Sequence, residues 1–340
     1  MFSWSKGDND WYVLKDKAIP FSKGAKQEWL KEKDAPPWRS VGSMESISIP
    51  ESAQMSSEDE ARGDKYILPP SKSKTASDEK IEVSSEATMQ LINIALLLKR
   101  PLLVQGPAGV GKSSLAYYLA HMLGLGSPLI WPINSQSTLQ DGLYFYDAIN
   151  HLRQSQITDG QALEMGGFIH LRALGTALLP WDRPRVVLID EIDKSNYDFP
   201  NDLLYVLEEG KFDIPELRQL DNASAFVHTA DKGSEKQAVT QGTVSRKHPP
   251  IIVMTSNNER QFPDAFLRRC VVLDLEVPKK DMMIKILESY FDNQFSEKDI
   301  EEAYAPIAHE NAPTDEVLQS MFVALSKGLP VQTVWEHIKR

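Results

Sequence analysis

From Ser85 onward the chain alternates between short apolar runs and stretches whose apolar residues recur at helical spacing. Ala87, Leu91, Ile94 and Leu98 share one face of a helix that Ser85 opens, with Glu86 in its first turn. The run Pro101–Gln105 then leads into a glycine cluster and an amphipathic helix from Ser113 to Leu123. Leu129–Ile133, Val186–Ile189, Ile251–Met254 and Val271–Leu275 are four more apolar runs of strand length, separated by helical patterns. Strands that alternate with helices and are apolar on both faces predict a parallel sheet covered on each side. Past residue 279 no comparable run occurs and Asp281 to Phe291 reads as a helix, so 279–340 is expected to be a small helical domain.

The first 82 residues follow neither period. Residues 1–40 hold Trp4, Trp11, Trp29 and Trp38, four of the seven tryptophans, which predicts an arm that docks on its own core or on a partner. Residues 41–82 are rich in serine, carry Pro69-Pro70, and offer few large apolar side chains beyond Tyr66-Ile67-Leu68. That composition predicts a poorly ordered linker, too polar to offset the entropy of ordering. The core is then expected over 83–278.

Composition narrows the class. A 41% hydrophobic and 25% charged chain is globular in balance. The net charge of −11 argues against a protein that coats nucleic acid, whose footprint would be basic. One cysteine, Cys270, excludes an intramolecular disulfide and a multi-thiolate zinc site. No run approaches the ~18 apolar residues of a membrane helix, and Met1-Phe-Ser-Trp-Ser-Lys lacks a signal-peptide pattern. A cytoplasmic protein with no membrane partner is the expectation.

Four motifs carry candidate chemistry. Gly106, Pro107, Ala108, Gly109, Val110, Gly111, Lys112 and Ser113 complete a G-x-x-x-x-G-K-[ST] loop between a strand and a helix, with Ser114 following. Glycines let backbone N–H groups turn toward phosphate oxygens, Lys112 would reach the β- and γ-phosphates, and the Ser113 hydroxyl would ligate Mg²⁺. Val186–Ile189 ends in Asp190 and Glu191, so a buried strand would deliver two carboxylates to the ligand-binding edge of the sheet. Asp190 would hold the metal and Glu191 would polarise the attacking water. Asp193 just beyond is expected to cap the next helix. Ile251–Ser256 ends in Asn257-Asn258, read as a turn or, given the motifs upstream, as an amide that senses the γ-phosphate. Phe262 to Cys270 ends a short helix in Arg268-Arg269, which could complete a neighbouring subunit's site or merely favour a helix C-terminus.

In this order the motifs resemble those of an AAA+ ATPase. The wording Leu188-Ile-Asp-Glu-Ile-Asp-Lys194, Phe199-Pro-Asn-Asp-Leu-Leu204, Ser256-Asn-Asn-Glu259 and Pro263-Asp-Ala-Phe-Leu-Arg-Arg269 is similar to the MoxR branch. The resemblance spans about residues 65–340. It implies a three-layer αβα P-loop NTPase sandwich with strand order 5-1-4-3-2 and a helical lid. It also implies ATP and Mg²⁺ as cofactors, a ring-shaped or helical hexamer, and a client or adaptor protein, often one with a von Willebrand factor A domain. By position it makes Lys112 and Ser113 the phosphate and metal contacts, Asp190 and Glu191 the metal and base carboxylates, Asn257 the first sensor, and Arg269 or Arg268 the finger. Residues 135–184 and 212–248 match that branch's insertions, the second a hairpin or, on its polar Asp231–Lys236 stretch, a loop. Both would face a central pore. One departure stands out: AAA+ lids usually offer a second-sensor arginine, yet 279–339 contain none, and Lys327 is the nearest basic candidate.

Three functions follow: an ATPase that remodels a client, an ATP-gated assembly switch with slow hydrolysis, and a DNA-directed motor, which the acidic balance disfavours. A guanine-specific switch is disfavoured because Asn-Lys-x-Asp is absent from the sequence.

Overall fold

The computed structural model describes residues 13–14, 45–74, 80–83, 85–157, 163–218, 224–233, 235–291, 294–308 and 312–339. In chain order the first elements are α1 (Ser57–Asp64), β1 (Ser71–Lys74), β2 (Lys80–Val83), α2 (Ser85–Leu98), β3 (Leu102–Gln105), α3 (Ser114–Met122) and β4 (Leu129–Pro132). Next come α4 (Leu139–Leu143), β5 (Tyr144–Tyr146), α5 (Ala148–Ile157), β6 (Ile169–Leu171), α6 (Ala173–Ala177), β7 (Val186–Asp190) and α7 (Phe199–Glu209). They are followed by β8 (Lys211–Asp213), α8 (Pro215–Arg218), β9 (Ser224–His228), β10 (Lys236–Thr240), β11 (Thr243–Ser245), β12 (Ile251–Ser256), α9 (Asp264–Leu267) and β13 (Val271–Leu275). The chain closes with α10 (Lys280–Phe291), α11 (Glu297–Tyr304), α12 (Thr314–Lys327) and α13 (Val331–Ile338).

The five apolar runs form the parallel part of a seven-stranded sheet in the order β13-β3-β12-β7-β4, which in sequence terms is 5-1-4-3-2. Side chains alternate between its faces. Leu103, Val187, Ile189, Ile252 and Met254 enter one core, while Leu102, Val104, Val186, Leu188 and Val253 enter the other. Continuous apolar runs are what such double burial requires, and they are why these strands are legible in sequence. Helices α10 to α13 carry a separate core that includes Leu287, Met321 and Trp335. The fold is therefore the αβα sandwich with a C-terminal helical region. Among the described residues no helix is long and apolar enough to cross a membrane.

One expectation needs correction. The stretch read as a linker is structured over 45–74. Ile47 bridges to Trp181, and Ile49 and Ala53 join the core. Ser56 caps α1 by accepting the Asp59 N–H, and Gly63 brings α1 against α3 so closely that a Cβ would lie 2.8 Å from the Tyr117 carbonyl oxygen. Strand β1 pairs antiparallel with β13 on one side and with the edge strand β2 on the other. Isolated apolar anchors, each meeting a preformed surface, offset the ordering entropy that composition alone suggested would win. Of the tryptophan-rich arm only Val13 and Leu14 are described. Both are buried on the protein's own core, and the Leu14 N–H donates to Asn93 Oδ1 at 2.7 Å. Trp4, Trp11, Trp29 and Trp38 lie outside the described residues.

The stretch 212–248, read as a hairpin or, on Asp231–Lys236, a loop, contains the antiparallel β9–β10 hairpin. It folds with 135–184 into one six-stranded sheet, β5-β6-β9-β10-β11-β8, the two insertions meeting where β6 and β9 pair in parallel. The polar turn of the β9–β10 hairpin is pinned by Asp231. Its carboxylate takes two hydrogen bonds, at 2.7 and 3.1 Å, from the fully buried Arg185 at the foot of β7.

Candidate functional site

The carboxyl ends of β3, β7 and β12 converge on one cleft of about 340 Å³. The loop after β3 reverses direction with positive φ at Gly106 (146°), Gly109 (75°) and Gly111 (84°), a region open chiefly to glycine. Residues 108–114 line the cleft together with Asp190, Glu191, Thr255 and Asn257. Gly106 and Pro107 do not line it, but their carbonyls accept hydrogen bonds from Lys112.

Lys112, only 8% exposed, donates from Nζ to the carbonyls of Gly106 (2.9 Å) and Pro107 (2.6 Å) and to Asn257 Oδ1 (2.6 Å). Burial lowers the pKa of this ammonium below the ordinary lysine range, opposed by the charges of Asp193, Asp190 and Glu191. Three oxygen acceptors around one ammonium are the arrangement a phosphate would also satisfy. The Ser113 hydroxyl donates to Asp190 Oδ1 at 2.8 Å, joining the P-loop to the tip of β7. Thr255 Oγ1 donates to the same oxygen at 2.6 Å and accepts the Glu191 N–H at 2.8 Å. Glu191 has φ +61°, a left-handed conformation, and its carboxylate accepts from Lys194 Nζ at 2.7 Å and Asn257 Nδ2 at 3.4 Å. Hard oxygen donors on Ser113 and Asp190, side by side at the phosphate cradle, fit a Mg²⁺ ion.

Asp193 does not cap the next helix as expected. Its Oδ2 accepts the N–H groups of Asn257 (2.8 Å) and Glu259 (3.2 Å), tying the loop after β7 to the loop after β12. Asn196 caps α7 instead, accepting the Phe199 N–H at 2.9 Å.

A family model described as an AAA domain of the dynein-related subfamily matches residues 101–270, half of the chain. The chain belongs to this AAA family, and it is an AAA+ ATPase. Among solved structures it is similar to Thermotoga maritima RuvB, titled a Holliday junction branch migration motor. The TM-score is 0.38 and the identity 14%, over 78% of this chain and 72% of that one. A single-site variant of the same RuvB gives a TM-score of 0.40 at 14% identity, over 74% and 67% of the two chains. No curated protein sequence matches the chain.

In this AAA+ ATPase the paired arginines do not enter their own subunit's cleft. Both follow α9 and are exposed. Arg269 Nε donates to Glu208 Oε1 on α7 at 2.8 Å. Lys327 is likewise displaced: it ends α12, whose 14 residues at ~1.5 Å per residue put it about 20 Å from the end that meets the cleft. That end presents Thr314 and Asp315, and the Asp315 carboxylate packs against Gly109. The late helix thus offers the P-loop an acid.

Sequence reasoning missed one whole wall of the cleft. Arg62, Lys65, Tyr66, Ile67 and Pro69 come from the segment read as a linker, and Ile286, Tyr290 and Leu318 come from the helical region. Of these, Tyr66, Ile67, Pro69, Ile286, Tyr290 and Leu318 make an apolar and aromatic face suited to a planar base. The Tyr66 phenol is raised above its ordinary pKa by burial, and so stays neutral. The signal available in the sequence was Tyr66-Ile67-Leu68 standing alone before two prolines. Thr255 carried no signal beyond being a polar residue at a strand end.

Proposed function

We propose that this AAA+ ATPase hydrolyses ATP with Mg²⁺ at the subunit interfaces of a homohexamer, in the manner of the MoxR branch, and that it remodels or activates a partner protein, such as one with a von Willebrand factor A domain. The observation that carries this is the Ser113–Asp190–Thr255–Glu191 hydrogen-bond chain, which draws P-loop, acidic strand and polar strand into one site. In this reading Lys112 and the loop N–H groups hold the phosphates. Ser113 and Asp190 hold Mg²⁺, which when bound neutralises developing phosphate charge. Glu191 accepts the proton of the attacking water, Asn257 orients it or senses the γ-phosphate, and Arg268 or Arg269 reaches the site of the adjacent subunit. The domain boundaries proposed are an arm at 1–40, a connecting segment at 41–82 of which Arg62, Lys65, Tyr66, Ile67 and Pro69 line the nucleotide cleft, a core at 83–278 and a lid at 279–340.

The test is steady-state ATP turnover. Glu191→Gln is expected to lower it at least ~10²-fold while nucleotide still binds, the lower end of what a general base contributes. Subunits carrying Arg268→Ala with Arg269→Ala should be silent alone and regain turnover when mixed with Glu191→Gln subunits, because some mixed interfaces hold both groups. Turnover unchanged by Glu191→Gln, or no regain on mixing, overturns the reading.

A slow ATP-gated switch is the second reading. Two observations favour it: Lys194 engages the Glu191 carboxylate, and among the described residues the helical region brings no cation into the cleft. A partner protein that raises turnover several-fold would decide for gating by that partner.

A further inference from the structure

The cations that line the cleft are Lys112, Arg62 and Lys65, set against the acids Asp190, Glu191 and Asp315. Lys112, even with the Mg²⁺ that Ser113 and Asp190 would hold, shares the cleft with three carboxylates, so a further cation there adds favourably to polyphosphate binding. Arg62 belongs to α1, and its mounting is specific. Nε donates to Ser114 Oγ at 3.2 Å, and the guanidinium lies over the Tyr117 ring at 4.1 Å, both partners being on the helix that follows the P-loop. Among the described residues no ion pair joins Arg62 to a carboxylate. Its helix is held at both sides: Gly63 packs against Tyr117, while Lys65 reaches the Tyr290 carbonyl at 3.3 Å and accepts from Ser289 Oγ at 3.0 Å through its own carbonyl.

We infer that Arg62 is a nucleotide-binding residue that grips the part of the phosphate chain common to ADP and ATP. The assignment rests on the nucleotide reading above and adds a residue to that site. Position along the P-loop sets which phosphates it meets. Lys112 serves the β- and γ-phosphates and the loop N–H groups the α- and β-phosphates. Arg62 touches Ser114, beyond Ser113, whereas Lys112, Asn257 and Glu191 are hydrogen-bonded in series at the other end. A planar guanidinium already oriented by a hydroxyl and a ring loses little freedom on taking up a phosphate oxygen.

The test is calorimetric titration of the full chain with MgADP and with a slowly hydrolysed MgATP analogue. Arg62→Met keeps the aliphatic stem on Tyr117 and removes the charge, and Arg62→Lys keeps a charge without the fork. Arg62→Met is expected to weaken both nucleotides by a similar factor of about 10 to 100, the range of a charged hydrogen bond. Arg62→Lys should fall between it and wild type, and the nucleotide-free unfolding midpoint should fall only by the small amount that losing the Ser114 bond and the Tyr117 contact explains. Loss confined to the ATP analogue would make Arg62 a γ-phosphate reader and overturn the assignment. Unchanged affinity, or a lowered nucleotide-free midpoint that accounts for the loss, overturns it as well. Lys112→Ala separates the two levels of failure. If wild type and Lys112→Ala bind alike, the nucleotide site itself is wrong. If they differ and Arg62→Met matches wild type, only the Arg62 assignment falls.

Discussion

Replacing Thr255 with valine removes the one hydroxyl that joins both halves of the acidic strand tip. Thr255 is 1% exposed, so water cannot take its place. The change deletes a donor to Asp190 Oδ1 at 2.6 Å and the acceptor of the Glu191 N–H at 2.8 Å. A hydrogen bond to a charged group contributes about 1.5–3 kcal/mol, and an orphaned buried N–H costs about 1–3 kcal/mol. Asp190 keeps its bond from Ser113 Oγ and is only half-buried, which reduces the first figure. A loss of about 2–4 kcal/mol in unfolding free energy follows. Thr255→Ser is the control: it retains both bonds and loses one methyl group, about 0.8 kcal/mol. Function should suffer separately. Glu191 occupies the left-handed region at φ +61°, which costs a non-glycine residue about 1–2 kcal/mol and is held here partly by the bond to Thr255. Released from it, the carboxylate leaves its place, and ATP turnover should fall at least ~10-fold below the serine variant. Urea unfolding without nucleotide and steady-state phosphate release read the two effects. A valine variant that unfolds with the serine variant and turns over at its rate would refute the argument.

Two further outcomes are expected. Asp231→Ala strands the fully buried Arg185 guanidinium, and losing one partner of a buried pair costs about 3–5 kcal/mol, to be read as a lowered urea midpoint; an unchanged midpoint would mean the hairpin is not anchored there. His228 stacks on His170 with ring centroids 4.7 Å apart, and burial, then His170, then Lys236 hold its pKa below the ordinary range, against a bond involving Gly167. Its folded-state pKa is depressed, so its contribution to stability is complete above the unfolded value near ~6.5 and is lost as pH falls through the folded value. Thermal midpoints of wild type should drop faster below pH ~6.5 than those of His228→Gln, and parallel curves would rule the stack out as the acid-sensitive element.

Much of the site was legible because it is local. The phosphate cradle is eight consecutive residues whose glycines are needed for backbone turns, and Asp190 and Glu191 announce themselves by ending an apolar run. Asn257 gained its meaning from order along the chain, and the structure puts its side chain on Lys112. Arg62, Tyr66, Thr255 and Asp193 were not legible as site residues, since nothing in their own neighbourhoods distinguishes a cleft wall from a linker, a strand end or a cap.

The amino-acid sequence by itself determined the five-stranded parallel sheet, the helical C-terminal region and the phosphate loop. Burial on both faces forces continuous apolar runs, and a glycine-built cradle can be written in one short segment. Tertiary structure alone decided the rest: the union of two insertions in a second sheet, the docking of α1 on α3, the acid at the end of α12, and the distance of Lys327 from the cleft. Each depends on which surfaces meet across tens or hundreds of residues. Short, half-exposed strands and single apolar anchors leave no periodic trace of such meetings.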